Sequence, residues 1–97
     1  MSKYQEYYQE MIDANRGLFD HFMDLHDRYQ KDPNRYQTEF NEEGQKVMDV
    51  IRDWEGKLCG KSERSNYGTY SPKLAQKFWE LVRADFPKID FVGVSSV

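Results

Sequence analysis

Tyr29-Gln30-Lys31-Asp32-Pro33-Asn34-Arg35-Tyr36 is the stretch on which the fold turns. Pro33 pushes Asp32 out of the helical region, so a helix arriving from the N-terminal side ends at about Lys31. The same two residues open a second helix. Asp32 serves as N-cap, and Pro33 takes the first helical position, where its missing N–H and fixed φ do no harm. Two helices joined by so short a link fold back antiparallel.

Upstream, Tyr4, Tyr8, Met11, Asn15, Leu18, Phe22, Leu25 and Tyr29 recur at alternating spacings of four and three, with Ile12, Phe19, Met23 and His26 widening the stripe. Ser2 with Gln5 three residues on makes a capping box at the start. Asn15-Arg16-Gly17 is the weakest point of this stripe, but the heptad phase carries through it, so one continuous helix over about 3–31 is expected. Downstream, Tyr36, Phe40, Gly44, Val47, Ile51, Trp54 and Leu58 carry the second stripe over about 33–59. Gly60 is expected to stop it by taking up a left-handed conformation. The short turn sets the register: Tyr8 opposite Trp54, Met11 opposite Ile51, Leu18 opposite Gly44, Phe22 opposite Phe40. Gly44 costs a helix about 1 kcal/mol relative to Ala, and close packing of Leu18 or Phe19 against its backbone would give it a use.

Residues 60–70 are polar and turn-rich and read as a loop. Ser71 as N-cap and Pro72 at the first helical position start a third helix over about 72–86, with Leu74, Phe78, Leu81 and Val82 on one face and Pro87 as its stop. The tail over 87–97 contains Ile89, Phe91, Val92 and Val94, a composition that favours an extended, buried segment. The expected fold is therefore all-α: a long antiparallel helical hairpin plus a shorter third helix, a three-helix bundle, with an extended C-terminal tail. At 1.5 Å per residue the third helix is too short to cover the hairpin from end to end. Phe22, Met23, His26, Tyr29, Tyr36 and Phe40 at the tip are left for the tail, with Phe91, or for a second copy of the chain to cover.

Composition bounds the function. Ninety-seven residues are too few for two cores, and an aromatic content of 15% is more than a disordered chain carries, so one folded domain over 1–97 is expected. No apolar run approaches the roughly 18 residues of a membrane span, and the first residues lack the charged-then-apolar plan of a secretion signal. A single cysteine, Cys59, excludes an intramolecular disulfide and any multi-cysteine zinc site. A soluble, cytoplasmic protein without a membrane partner is expected. The net charge of −3 divides unevenly: residues 1–56 hold seven Lys/Arg against thirteen Asp/Glu, and residues 57–97 hold seven against four. Attraction between the two parts of one fold, the plainer reading, or a polarised surface presenting two faces to partners would follow from that split.

Motifs with chemistry are few. Gly60-Lys61-Ser62 resembles the end of a phosphate loop, but Glu55 stands where that loop needs glycine, and a helix rather than a strand leads in. Asp13-Ala14-Asn15-Arg16-Gly17 begins like a calcium loop, but Leu18 occupies the position of the turn glycine. His21 and His26 are five residues apart, on different faces of a helix, and His21 is expected to face solvent. Asp24–Arg28 and Asp27–Lys31 have the spacing of helical ion pairs. Cys59 lies between Lys57 and Lys61 with no acid or histidine beside it, and reads as a small apolar filler.

No catalytic residues, metal site or cofactor are expected from this pattern. The reading is a small non-enzymatic interaction or regulatory module that binds a protein partner, or itself, through Phe22, His26, Tyr29, Tyr36 and Phe40 at the hairpin tip and Phe91 in the tail. The alternative is a nucleic-acid-associated accessory protein using Lys61, Arg64, Tyr67 and Tyr70 in the basic stretch 57–73, where cations meet phosphates and aromatic rings stack on unpaired bases.

Overall fold

A computed structural model describes residues 2–63 and 72–93, with side chains over 2–59 and 72–93. Among the described residues the chain is all-helical, with no strand: α1 (Lys3–Ala14), α2 (Arg16–Lys31), α3 (Pro33–Glu63), α4 (Pro72–Asp85) and a short 3₁₀ turn (Ile89–Phe91). None of the helices there is long and apolar enough to cross a membrane. The helix starts follow the local chemistry. Ser2 Oγ accepts from the Gln5 amide at 3.4 Å while Gln5 Oε1 accepts from the Ser2 amide at 2.9 Å, a reciprocal cap. Asp32, alone between α2 and α3, accepts the Arg35 amide on Oδ1 at 3.4 Å.

Among the described residues there are four α-helices, not three, because the expected continuous first helix breaks at Asn15. Asn15 adopts φ −129° and ψ 37°, outside the helical region. Its amide bonds back to the Ile12 carbonyl at 3.2 Å, and its side-chain Nδ2 donates to the Met11 carbonyl at 3.0 Å. A short amide side chain thus satisfies an acceptor that the interrupted helix would have left bare. The break turns α1 out of the phase that α2 would have imposed. Tyr7, in place of Tyr8, meets Trp54, edge to face at 6.1 Å between centroids. Tyr8 swings to α4, where its ring packs edge-on against Phe78 at 5.9 Å and its hydroxyl donates to Asp85 Oδ2 at 2.6 Å.

α1 packs on both α3 and α4, and α2 packs chiefly on α3. Met11, Phe22, Phe40, Val47, Ile51, Leu58, Phe78 and Val82 lie fully buried between them. Near the turn the expected register holds. Phe22 stacks on Phe40 with centroids 5.3 Å apart, and Tyr29 stacks on the same ring at 3.9 Å. Phe86, just past α4, closes on Phe22 at 5.2 Å. The indole N–H of Trp79 on α4 donates to Glu55 on α3.

Two further expectations are corrected. α3 runs through Gly60 to Glu63 instead of stopping at the glycine, since a glycine free to be left-handed is equally free to stay helical. The tail over 87–93 is not extended: after Pro87 it winds into the 3₁₀ turn, with Ile89 buried, and leaves it through Gly93 at φ +87°. This segment also takes the role assigned to Leu18 or Phe19 at Gly44. A Cβ built on Gly44 would stand 2.5 and 2.7 Å from the two Val92 methyls. The glycine is the seat of the C-terminal segment.

Candidate functional site

The tip of the α2–α3 pair collects most of the residues marked from sequence, and the C-terminal segment organises them. Tyr29 OH donates to Gln37 Oε1 at 2.7 Å, deep in the tip. Gln37 Nε2 then donates to Asn41 Oδ1 at 2.7 Å and to the Phe91 carbonyl at 3.3 Å. Asn41 Oδ1 also accepts the Gly93 amide at 2.8 Å. Further along, the Lys88 amide donates to His26 Nε2 at 3.1 Å. Three of these bonds, to the Phe91 carbonyl, the Gly93 amide and the Lys88 amide, answer backbone groups that the short C-terminal turn leaves unsatisfied, and the other two hold the side chains that make them. The segment is fastened to α2 by His26 and to α3 by Gln37, Asn41 and Gly44. Arg83 on α4 adds an exposed ion pair to Asp90, 3.2 Å from Nε to Oδ2, which contributes little by itself.

This arrangement sorts the marked residues. Phe22, His26 and Phe40 are buried, with Phe86 against Phe22 and the Lys88 amide on His26, and offer no surface to a partner in the folded chain. Tyr29 is buried except at the edge that lines a small open cleft, and Tyr36 is half-buried with the Arg35 guanidinium 5.4 Å from its ring centre. Phe91 is 44% exposed, the most exposed large apolar side chain of the described residues. It forms one wall of that cleft, of about 200 Å³, with Tyr29, Gln30, Pro33 and Lys88 as the others. Lys88 Nζ sits 5.4 Å from the centre of the Phe91 ring, placing a cation at the rim of an apolar slot. Lys61 lies on the last turn of α3, beyond the described side chains, and Arg64, Tyr67 and Tyr70 lie outside the described residues.

Gln37 and Asn41 were not marked from sequence, although they carry the attachment. The signal was present: Gln37, Phe40, Asn41 and Gly44 share one helical face at spacings of three and four, so two amides and a glycine interrupt an apolar stripe together. Amides at an otherwise apolar face point to backbone that has to be met there.

His26 is the titratable group of this site. Burial pushes its pKa below the ordinary histidine value, the neighbouring carboxylate of Asp27 opposes that shift, and the Lys88 ammonium adds to it. Because Nε2 accepts from Lys88, the ring proton of the neutral form sits on Nδ1, which is buried with no hydrogen-bond partner. Elsewhere, a cleft of about 270 Å³ opens beside the break at Asn15, lined by Tyr8, Ile12, Arg16, Phe19, Met23 and Asp85 among others. The Tyr8 hydroxyl there is held protonated well above the usual tyrosine range, by burial first and then by its bond to the Asp85 carboxylate and that group's charge. Arg16 in this cleft is tied to Asp13, and Asp24 pairs with Arg28 at 3.2 Å as the spacing predicts. The Cys59 thiol is fully buried, and His21 is exposed. Among the described residues no three His, Cys, Asp or Glu side chains gather where a metal ion would be held.

The chemistry this geometry presents is that of apolar and cation–aromatic contact at the tip. Compared with family models, with curated proteins and with solved structures, the chain matches none of them.

Proposed function

We propose that the protein is a small, non-enzymatic helical interaction module that binds a protein partner, or a second copy of itself, through the cleft at its tip. The observation that carries this reading is Phe91: an aromatic ring held 44% in solvent on a backbone anchored at both ends. Its carbonyl and the amide two residues on are hydrogen-bonded to α3, so the ring is presented in a fixed place instead of folding inward. Aromatic residues are enriched at protein interfaces and carry much of their binding energy once a partner buries them. Lys88, Pro33 and Gln30 complete the lining, and a partner side chain entering the slot would cover Phe91 and the open edge of Tyr29.

The test is a photo-reactive phenylalanine analogue at position 91, irradiated in cell extract and in the purified protein. A single dominant adduct, either to one other protein or to a second copy of the chain, that disappears on pairing with Lys88→Glu is the expected result. Diffuse labelling, or the same adducts with and without Lys88→Glu, would remove the tip cleft as a binding surface.

A further inference from the structure

His26 stands at the joint between the C-terminal segment and the tip. It is 1% exposed, and its ring is enclosed by Phe22, Phe40 and Phe86 at 6.2, 6.1 and 5.7 Å between centroids. Its Nε2 is used as an acceptor, by the Lys88 amide at 3.1 Å. A second proton has to go on that atom, and there it would point at an N–H that also donates. Two donors face to face cannot bond, so the imidazolium and the closed position of Lys88 exclude one another. Nothing nearby compensates through Nδ1, which already lacks a partner. The charged groups that act on the ring are Asp27 from its own helix, favouring protonation, and Lys88 from the turn, opposing it. α3 and the end of α4 meet it with the rings of Phe40 and Phe86.

We propose that His26 is a pH-sensitive latch for the C-terminal segment: protonation expels the Lys88 amide and releases residues 87–93 from the tip, uncovering the aromatic face around Phe22 and Phe40 and the seat at Gly44. The inference stands on its own and does not depend on what the Phe91 cleft binds. The bonds that remain, from Gln37 to the Phe91 carbonyl and from the Gly93 amide to Asn41, lie on the far side of the 3₁₀ turn and share one helix face, so they leave with the segment as a unit.

The sign follows from linkage. The folded pKa lies below the ordinary value of 6.5, so the latch is fully closed above that value and its contribution is lost as pH falls below it. If the released ring titrates at 6.5 and the latched ring stays neutral, the opening equilibrium rises about 30-fold between pH 7.5 and pH 5.0. Amide hydrogen exchange by NMR, expressed as protection factors, measures this directly. The Val92 and Gly93 amides are expected to be less protected than those of Val47 and Ile51 in mid-α3 at both pH values, and to lose about 30-fold at pH 5.0. In His26→Gln, whose side chain keeps an acceptor and cannot titrate, that loss is expected to vanish. Protection at Val92 and Gly93 equal to that at Val47 would mean that the segment opens only with the whole fold. A pH-independent value, or a loss that persists in His26→Gln, would equally overturn the latch. The wild-type comparison decides the matter by itself if the variant does not fold.

Discussion

Gly44→Ala tests whether the C-terminal segment is seated as described, because two effects of opposite sign meet at this position. An alanine in a helix interior is favoured over glycine by about 1 kcal/mol. The new Cβ would stand 2.5 Å from Val92 Cγ2, 2.7 Å from Cγ1 and 3.2 Å from Cβ, where carbon atoms rest at about 3.5–4.0 Å. Rotating the valine cannot clear both methyls, and the branch point itself is tight, so the segment must lift by about an ångström. Lifting forfeits the partial burial of Val92, about 1 kcal/mol, and the bond from the Gly93 amide to Asn41, about another 1 kcal/mol. The expected outcome is a net destabilisation of about 1 kcal/mol in the wild-type background. With Val92→Ala the two methyls are gone and the remaining Cβ needs to yield only slightly, so the same Gly44→Ala becomes stabilising by about 1 kcal/mol. The coupling in the cycle is therefore about 2 kcal/mol, readable as shifts in urea midpoint at constant m-value followed by circular dichroism. Gly44→Ala stabilising the wild type, or acting equally in both backgrounds, would refute the placement of Val92 on Gly44.

Tyr29→Phe is expected to cost about 1–3 kcal/mol by thermal or urea unfolding, because it leaves Gln37 Oε1 buried without its donor while the ring stack on Phe40 is kept; a neutral substitution would mean that water replaces the hydroxyl. Tyr8→Phe removes the bond to Asp85 and is expected to cost about 1 kcal/mol at neutral pH. Since the folded tyrosine holds its proton beyond the ordinary value of 10.0, its contribution is intact below about that pH and lost as pH rises above it. The alkaline unfolding midpoint should accordingly move upward in Tyr8→Phe, and an unchanged midpoint would count against the bond.

The all-helical class was legible because it rests on punctuation that few alternatives share. Asp32-Pro33 ends one helix and starts the next, Ser2 and Gln5 cap the first, and Pro72 opens the last. The break at Asn15 was harder to see, since a hydrophobic stripe records which residues are buried and not which neighbour they meet. Tyr8 is half-buried against α4, whereas a continuous helix would have placed it opposite Trp54, and burial pattern alone scarcely separates the two. What distinguished them was the competence of an asparagine side chain to bond a carbonyl one turn back, a local property that stripe counting ignores. The 3₁₀ turn was hidden for a related reason. Ile89, Phe91 and Val92 have the composition of a strand, but among the described residues no strand exists to pair with them, so their backbone groups turn inward and find Gln37, Asn41 and His26.

The position of the candidate site is set by lengths and joints. With one residue between α2 and α3, the turn itself supplies no chain to cover the rings at their junction. α3, at 31 residues, is roughly 46 Å long, and α4, at 14, roughly 21 Å, so α4 reaches less than half way along it. Pro87 ends the helical path just where Phe86 touches Phe22, and residues 88–93 have to cover the tip without the help of a regular helix. An irregular segment exposes backbone polar groups, and those groups are what Gln37, Asn41 and His26 meet. Two of these three anchors are amides and do not titrate; the third is an imidazole, whose acceptor atom is lost on protonation. A cover attached to an apolar core by side-chain hydrogen bonds is therefore weakened by acid at the imidazole among these anchors, and replacing that anchor by a fixed acceptor should remove its share of the pH dependence of opening.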